Sequence, residues 1–107
     1  MTYVFDIDGT ICTLTSGDYS QATPLTGRIA RINKLYDEGN VIHFNTARGM
    51  GRTNNDAAEA NRLFRDLTVK QLKSWGVKYH KLFLGKPSGD LYIDDKGVNS
   101  DDFFRAK

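Results

Sequence analysis

Tyr3-Val4-Phe5-Asp6-Ile7-Asp8-Gly9-Thr10 runs an apolar stretch into two carboxylates and a glycine turn. In a strand, neighbouring side chains point to opposite faces and positions two apart share one. At the fraying end of such a strand Asp6 and Asp8 are expected to face one cavity. Two anionic groups held that close repel each other, and a divalent cation is the usual way to make the arrangement tolerable. Gly9 lets the chain turn sharply afterwards. Taken alone, Asp8-Gly9 also reads as an ordinary hairpin turn, and the remainder of the chain decides between the two.

A chain of 107 residues is one domain, 1–107, with room for one core and none for a second lobe. Its 39% hydrophobic and 26% charged residues are ordinary for a globular protein. No apolar run approaches the length of a membrane span, and no basic region followed by an apolar one marks a secretory signal. With a single cysteine, Cys12, no internal disulfide forms, and a cytoplasmic, reducing setting is expected. Cys12 has no neighbouring histidine to activate it and reads as a small packed residue. Fifteen basic residues spread among thirteen acidic ones give a net charge of +2, which argues against nucleic acid as partner. Arg48 and Arg52 still offer a local basic mouth.

Residues 11–22, rich in Thr, Ser, Gly and Asp with Tyr19 among them, suit a short hairpin or flap. Thr23-Pro24 offers a helix start with Thr23 as N-cap; Leu25, Ile29, Ile32 and Tyr36 follow at helical spacing, and Gly39 marks the stop. Val41 to Asn45 is a second strand, apolar enough for the centre of a parallel sheet, and it ends at Thr46-Ala47-Arg48. Residues 49–55 are a loop by composition, and Asp56 caps the next helix. Ala60, Leu63, Phe64 and Leu67 form one apolar stripe; Thr68 then caps a second helix or lies inside a single long one, two alternatives the sequence leaves open over 56–75. After Gly76, Tyr79 to Leu84 is a third strand leading into Gly85-Lys86-Pro87. Leu91-Tyr92-Ile93 is a fourth, ending at Asp94-Asp95. His43 and His80 fall in strands, and Asp101 and Asp102 begin a short turn, all away from the cluster.

Strands alternating with helices give a parallel sheet with right-handed crossovers, so the strand ends share one edge, where ligands of open α/β sheets bind. Asp6, Asp8, Thr46, Lys86, Asp94 and Asp95 are all expected there. Gly49-Met50-Gly51 matches neither the dinucleotide fingerprint nor the phosphate loop, so no nucleotide cofactor is expected.

Asp-Ile-Asp-Gly-Thr at 6–10, Thr46 after an apolar strand, then Lys86, then Asp94-Asp95 resembles the haloacid dehalogenase (HAD) superfamily of phosphotransferases. The motifs extend from Tyr3 to Asp95. Thr46-Ala47-Arg48, the 68–75 segment and Gly85-Lys86-Pro87 through Lys96 are similar to small capless phosphatases of capsule and surface-sugar biosynthesis. The resemblance implies a three-layer, Rossmann-like, mostly parallel sheet with helices on both faces and no cap domain. It implies Asp6 as the nucleophile that becomes an aspartyl-phosphate and Asp8 as general acid and base. Gly9, Thr10, Thr46, Ala47, Arg48 and Lys86 would hold the phosphoryl group. Mg²⁺ would be bound by Asp6, the backbone carbonyl of Asp8, and Asp94, with Asp95 close by.

In this superfamily a cap usually selects the substrate, and neither interval between motifs has room for one. Either a large substrate reaches into an open site or a homo-oligomer encloses a small sugar phosphate; the resemblance favours the second. The expected activity is Mg²⁺-dependent phosphomonoester hydrolysis. Two alternatives stand beside it: a polynucleotide-end phosphatase, disfavoured by the absence of a basic run, and a receiver-like phosphoacceptor module. A receiver carries its acidic pair early and its acceptor later, the reverse of the order here.

Overall fold

The computed structural model describes residues 1–105. Three parallel strands, β1 (Thr2–Phe5), β2 (Val41–Thr46) and β3 (Lys81–Leu84), form a sheet in the order β1-β2-β3. Phe5 sits opposite Phe44, and Phe44 opposite Leu82. Helix α1 (Thr26–Asp37) connects the first two strands and α2 (Ala57–Ser74) the second two, with a short α3 (Ser100–Arg105) at the end. This is a Rossmann-like α/β fold without a cap, as the alternation of elements predicts. Among the described residues no helix is long and apolar enough to cross a membrane.

The layering differs from expectation in one respect. Two consecutive right-handed crossovers that advance in the same direction put their helices on the same face of the sheet. Accordingly Phe5, Ile42, Phe44, Leu82 and Leu84 form one buried cluster with Ile29 and Ile32 of α1 and Leu72 of α2. Phe103 and Phe104 of α3 join it, packing against the Phe5 ring. The opposite face alternates out of the core, and Val4 and Phe83 lie exposed on it. A second helical layer would need strands added on the far side of β1, and the described residues build none.

That absence traces to Leu91-Tyr92-Ile93. The expected fourth strand is not formed: residues 91–94 have no strand pairing, and Leu91 and Ile93 are 80% and 90% exposed. Three residues with two bulky apolar side chains satisfy strand propensity, but propensity acts only where the backbone finds a ladder. Here the chain leaves the sheet after Lys86.

Two helix expectations are also settled. Helix α1 begins at Thr26 rather than at Pro24, because residues 23–25 are extended against the flap: Thr13 N–H donates to the Thr23 carbonyl at 3.0 Å and Leu25 N–H to that of Ile11 at 2.8 Å. Residues 57–74 are one continuous helix capped by Asp56, whose carboxylate accepts the Glu59 N–H at 3.1 Å. Thr68 is no cap; its hydroxyl donates back to the Phe64 carbonyl at 2.8 Å, as a mid-helix threonine does.

Candidate active site

The end of β1 folds over on itself. Thr10 and Ile11 both donate backbone N–H groups to the Ile7 carbonyl, at 3.0 and 2.9 Å, and Gly9 N–H donates to the Cys12 carbonyl at 2.9 Å. Ile7, Ile11 and Cys12 are fully buried beneath this loop, which anchors it as part of the core. Asp8-Gly9 is therefore a compact loop and no hairpin between paired strands. The same bonds consume the backbone donors of Gly9 and Thr10, which leaves the Thr10 side chain, on the lining of the groove, as what this pair could offer a phosphoryl group.

Asp6 follows the last residue of β1 and opens into a groove of about 1670 Å³ that Thr10, Asn45, Lys86 and Tyr92 also line. Lys86 reaches it from the turn after β3, its Nζ 4.0 Å from the Asp6 carboxylate. The turn is delivered by β2: the Thr46 carbonyl accepts the N–H groups of Gly85 and Lys86, at 3.3 and 3.2 Å. Gly85 has a φ of +114°, and a Cβ there would stand 3.0 Å from that of Ala57; only glycine lets the chain bend so tightly against α2. Burial pushes the Asp6 carboxyl above its ordinary value, and the neighbouring Asp8 charge adds to this. The Lys86 ammonium and a hydrogen bond from Ile7 pull it back. Lys86 is also held over the Tyr92 ring, 4.3 Å from its centroid.

Asp8 is turned to a different partner. Arg48 Nε donates to Asp8 Oδ2 and Nη2 to Oδ1, both at 3.0 Å, a bidentate pair. The rest of the guanidinium is equally engaged. Nη1 donates to Thr68 Oγ1 at 3.2 Å and to Gln71 Oε1 at 2.5 Å, Nη2 also approaches Cys12 Sγ, and the Tyr19 ring lies 4.9 Å from Cζ. Arg48 is 1% exposed. The expectation that its side chain grips substrate phosphate therefore gives way, since all its N–H donors serve Asp8, Cys12 and α2. The expectation that both carboxylates face one cavity gives way with it.

Thr46 is buried, with its hydroxyl accepting the Arg48 N–H at 3.1 Å, and the Ala47 carbonyl accepts Met50 N–H at 2.9 Å. The flap is pinned to this side of the site. The Tyr19 hydroxyl accepts Gly49 N–H at 2.9 Å, its ring meets Phe64 edge-on, and its carbonyl accepts Gln71 Nε2 at 2.6 Å. Tyr19, Thr68 and Gln71 were not foreseen as site residues; the signals were a lone aromatic in a polar flap and two hydrogen-bonding side chains three apart on one face of α2. Cys12 is inert, its thiol pushed up to about 12 by burial and the Asp8 charge.

The carboxylates expected around a divalent cation are not gathered. Asp94 lies in the exposed 87–99 segment, where its Oδ1 accepts the N–H groups of Lys96 and Gly97 at 2.7 and 2.5 Å, and Asp95 is exposed beside it. Among the described residues no three His, Cys, Asp or Glu side chains form a group that could hold a metal ion. The set Asp6, Asp8, Asp94 and Asp95 thus does not fit Mg²⁺ as arranged, for the same reason that the fourth strand is missing.

No protein-family model matches the chain, and no curated protein does. Among solved structures it is similar to the crystal structure of a structural-genomics target from Vibrio cholerae, at a TM-score of 0.88 and 25% identity over 96% of this chain and 86% of the other. The likeness carries the fold across nearly the whole chain.

Proposed function

We propose that this protein is a phosphomonoester hydrolase that works through an aspartyl-phosphate on Asp6, with a sugar phosphate or similar small metabolite as substrate. The observation that supports it most is Asp6 at the end of β1 with the Lys86 ammonium 4.0 Å away, both opening into the same groove. A carboxylate that is partly desolvated keeps more of its nucleophilicity than a hydrated one, while a cation beside it offsets the approach of an anionic phosphoryl group. Asp6 attacks phosphorus, the bond to the leaving oxygen breaks, and Lys86 stabilises the charge that spreads over the non-bridging oxygens. By the sequence resemblance Asp8 would give a proton to the leaving alkoxide and later take one from the water that hydrolyses the acyl phosphate, a role that requires its carboxylate to turn from Arg48 toward the groove. Magnesium belongs to this reading through the sequence resemblance alone. The described residues do not form its cage, and no step here is routed through it.

The groove is open along β1, which suits a small substrate enclosed by a second copy of the chain. The test is phosphate release from a panel of sugar phosphates, other phosphomonoesters and phosphorylated oligonucleotides. Turnover of small phosphomonoesters that vanishes in Asp6→Asn, with an acyl phosphate trapped on Asp6 in the parent, is the expected result. No release from any compound, or release unchanged in Asp6→Asn, overturns the proposal.

A further inference from the structure

We infer that the cleft between α1 and α3 binds a small phosphorylated metabolite through Arg31, at a site separate from the groove at Asp6. The cleft has a volume of about 800 Å³, in the size range of small-molecule sites. Its α1 wall carries Arg28, Arg31 and Lys34, and its α3 wall Asp101, Phe104 and Arg105. The three α1 cations follow one another at intervals of three residues, so they share one face of the helix. Only Phe104 also lines the groove at Asp6.

The two arginines of this face are used differently. Arg28 is committed to the fold: Nη1 donates to the Thr10 carbonyl at 3.2 Å and Nη2 to Asp101 at 2.7 Å, with Cζ 4.8 Å from the Phe104 ring centroid. Arg31 lies over the next ring, its Cζ 5.1 Å from the Phe103 centroid, but among the described residues its N–H groups meet no acceptor and no carboxylate. It is half-buried, so it gives up part of its hydration with no ion pair in return, which is unusual for an arginine. The ring holds the guanidinium while its donors stay in the guanidinium plane, directed past the ring. Lys34, one turn on, also lacks an ion pair among the described residues. Asp101 is engaged by Arg28 and Arg105 by Asp102, which leaves Glu38 facing two uncompensated cations in the lining. A phosphoryl group, with close to two negative charges at neutral pH and paired oxygens for an arginine, matches Arg31 and Lys34 together; a carboxylate offsets only one of them. Leu35 and Phe104 in the same lining give the organic part of the ligand an apolar surface.

The experiment follows backbone amide signals by NMR while the protein is titrated with inorganic phosphate or with phenylphosphonate, whose carbon–phosphorus bond a phosphatase does not cleave; sodium chloride keeps the ionic strength constant. The expected result is saturable movement of the signals of residues 27–38 and 101–105, with phenylphosphonate bound at least about 3-fold more tightly because its ring meets the apolar lining. Arg31→Gln should weaken both ligands by about 10-fold or more, the worth of a charge-assisted hydrogen bond. Arg31→Lys should recover part of the loss, restoring charge without the planar fork. Lys86→Gln, in the other groove, should leave the affinity of the cleft within about 2-fold of the parent. Signals that move only around Asp6, Thr10 and Lys86, movement that never saturates, phenylphosphonate bound no tighter than phosphate, or affinity unchanged in Arg31→Gln each overturn the inference. If Arg31→Gln does not fold, Lys34→Gln at the exposed neighbour takes its place, with a loss of about 3-fold expected and an unchanged affinity as the refuting result. Binding is read without turnover, so the outcome does not depend on the chemistry proposed at Asp6.

Discussion

The two flanks of the candidate site are built to different standards. On the β2 side, Asp8, Arg48, Thr68, Gln71 and Tyr19 come from the first loop, the second strand end, α2 and the flap, and every donor of the central guanidinium is used. On the β1 side, residues 87–99 run exposed past an unpaired strand edge, and the bonds made by Asp94 stay within its own turn. Asp6 and Lys86 sit at the boundary. The difference is one of order: the Asp8–Arg48 pair is fully engaged inside the protein, while a carboxylate cage for a cation is not assembled among the described residues. The contrast can be attacked from either flank.

The largest effect is expected at the boundary. Asp6→Asn should lower turnover by at least about 10³-fold, since it removes the nucleophile that splits the reaction in two. Its effect on stability has the opposite sign. Burial raises the Asp6 carboxyl in the folded protein, so the stability linked to it is full below the unfolded-state value and is lost as pH rises through the folded one. At neutral pH the asparagine should melt no lower than the parent. Phosphate release and thermal melts at pH 7 test both halves, and an inactive variant that also melts well below the parent would leave Asp6 a structural acid.

Lys86→Gln comes next, with a loss of about 10²-fold in kcat/KM from removing one charge-stabilising donor. The ammonium holds the Asp6 carboxyl down against burial; without it the carboxyl rises further. Attack needs the ionised form, so the acid limb of the kcat/KM profile should move to higher pH. A limb that stays in place, with activity merely scaled down, would mean that Lys86 acts on substrate without touching the state of Asp6.

Gly49→Ala probes the built flank through stability. Gly49 has a φ of +79°, and a Cβ there would lie 2.5 Å from the Phe64 ring, while its N–H holds the Tyr19 hydroxyl. Overpacking and left-handed strain together should cost about 2–4 kcal/mol. Urea titration followed by circular dichroism measures it, and a loss under about 1 kcal/mol would show that the flap and α2 yield to each other freely.

Much of this was legible in the chain because it is local. The alternation through Tyr3 and Phe5, the apolar run at 41–45, the Asp56 cap and the Gly39 stop each depend on neighbours within a few residues, and each appears at its place. The sequence order also brings Asp6 and Lys86 to one edge, which follows from parallel topology alone. The fate of Arg48 was not legible. Its partners stand 40, 20 and 23 residues away, and spacing cannot tell a guanidinium that faces substrate from one that turns inward. Leu91-Tyr92-Ile93 misled for the complementary reason: its composition fits a strand, but pairing belongs to the edge it must find.

The smallest effect is expected on that segment, and it is the one that decides what the segment is. Ile93 is 90% exposed, so Ile93→Ser removes a side chain that buries almost nothing, and surface changes of that kind stay within about 0.5 kcal/mol. Were residues 91–93 laid along the free edge of β1, the same side chain would enter a sheet face and its loss would cost about 2 kcal/mol or more. Thermal and urea unfolding of Ile93→Ser distinguish the two. A near-silent substitution keeps Asp94 and Asp95 on an exposed segment and the contrast between the flanks intact. A cost of about 2 kcal/mol would mean that the segment docks as a strand, and since Asp94 directly follows Ile93, a strand there would carry that carboxylate to the edge where Asp6 already stands.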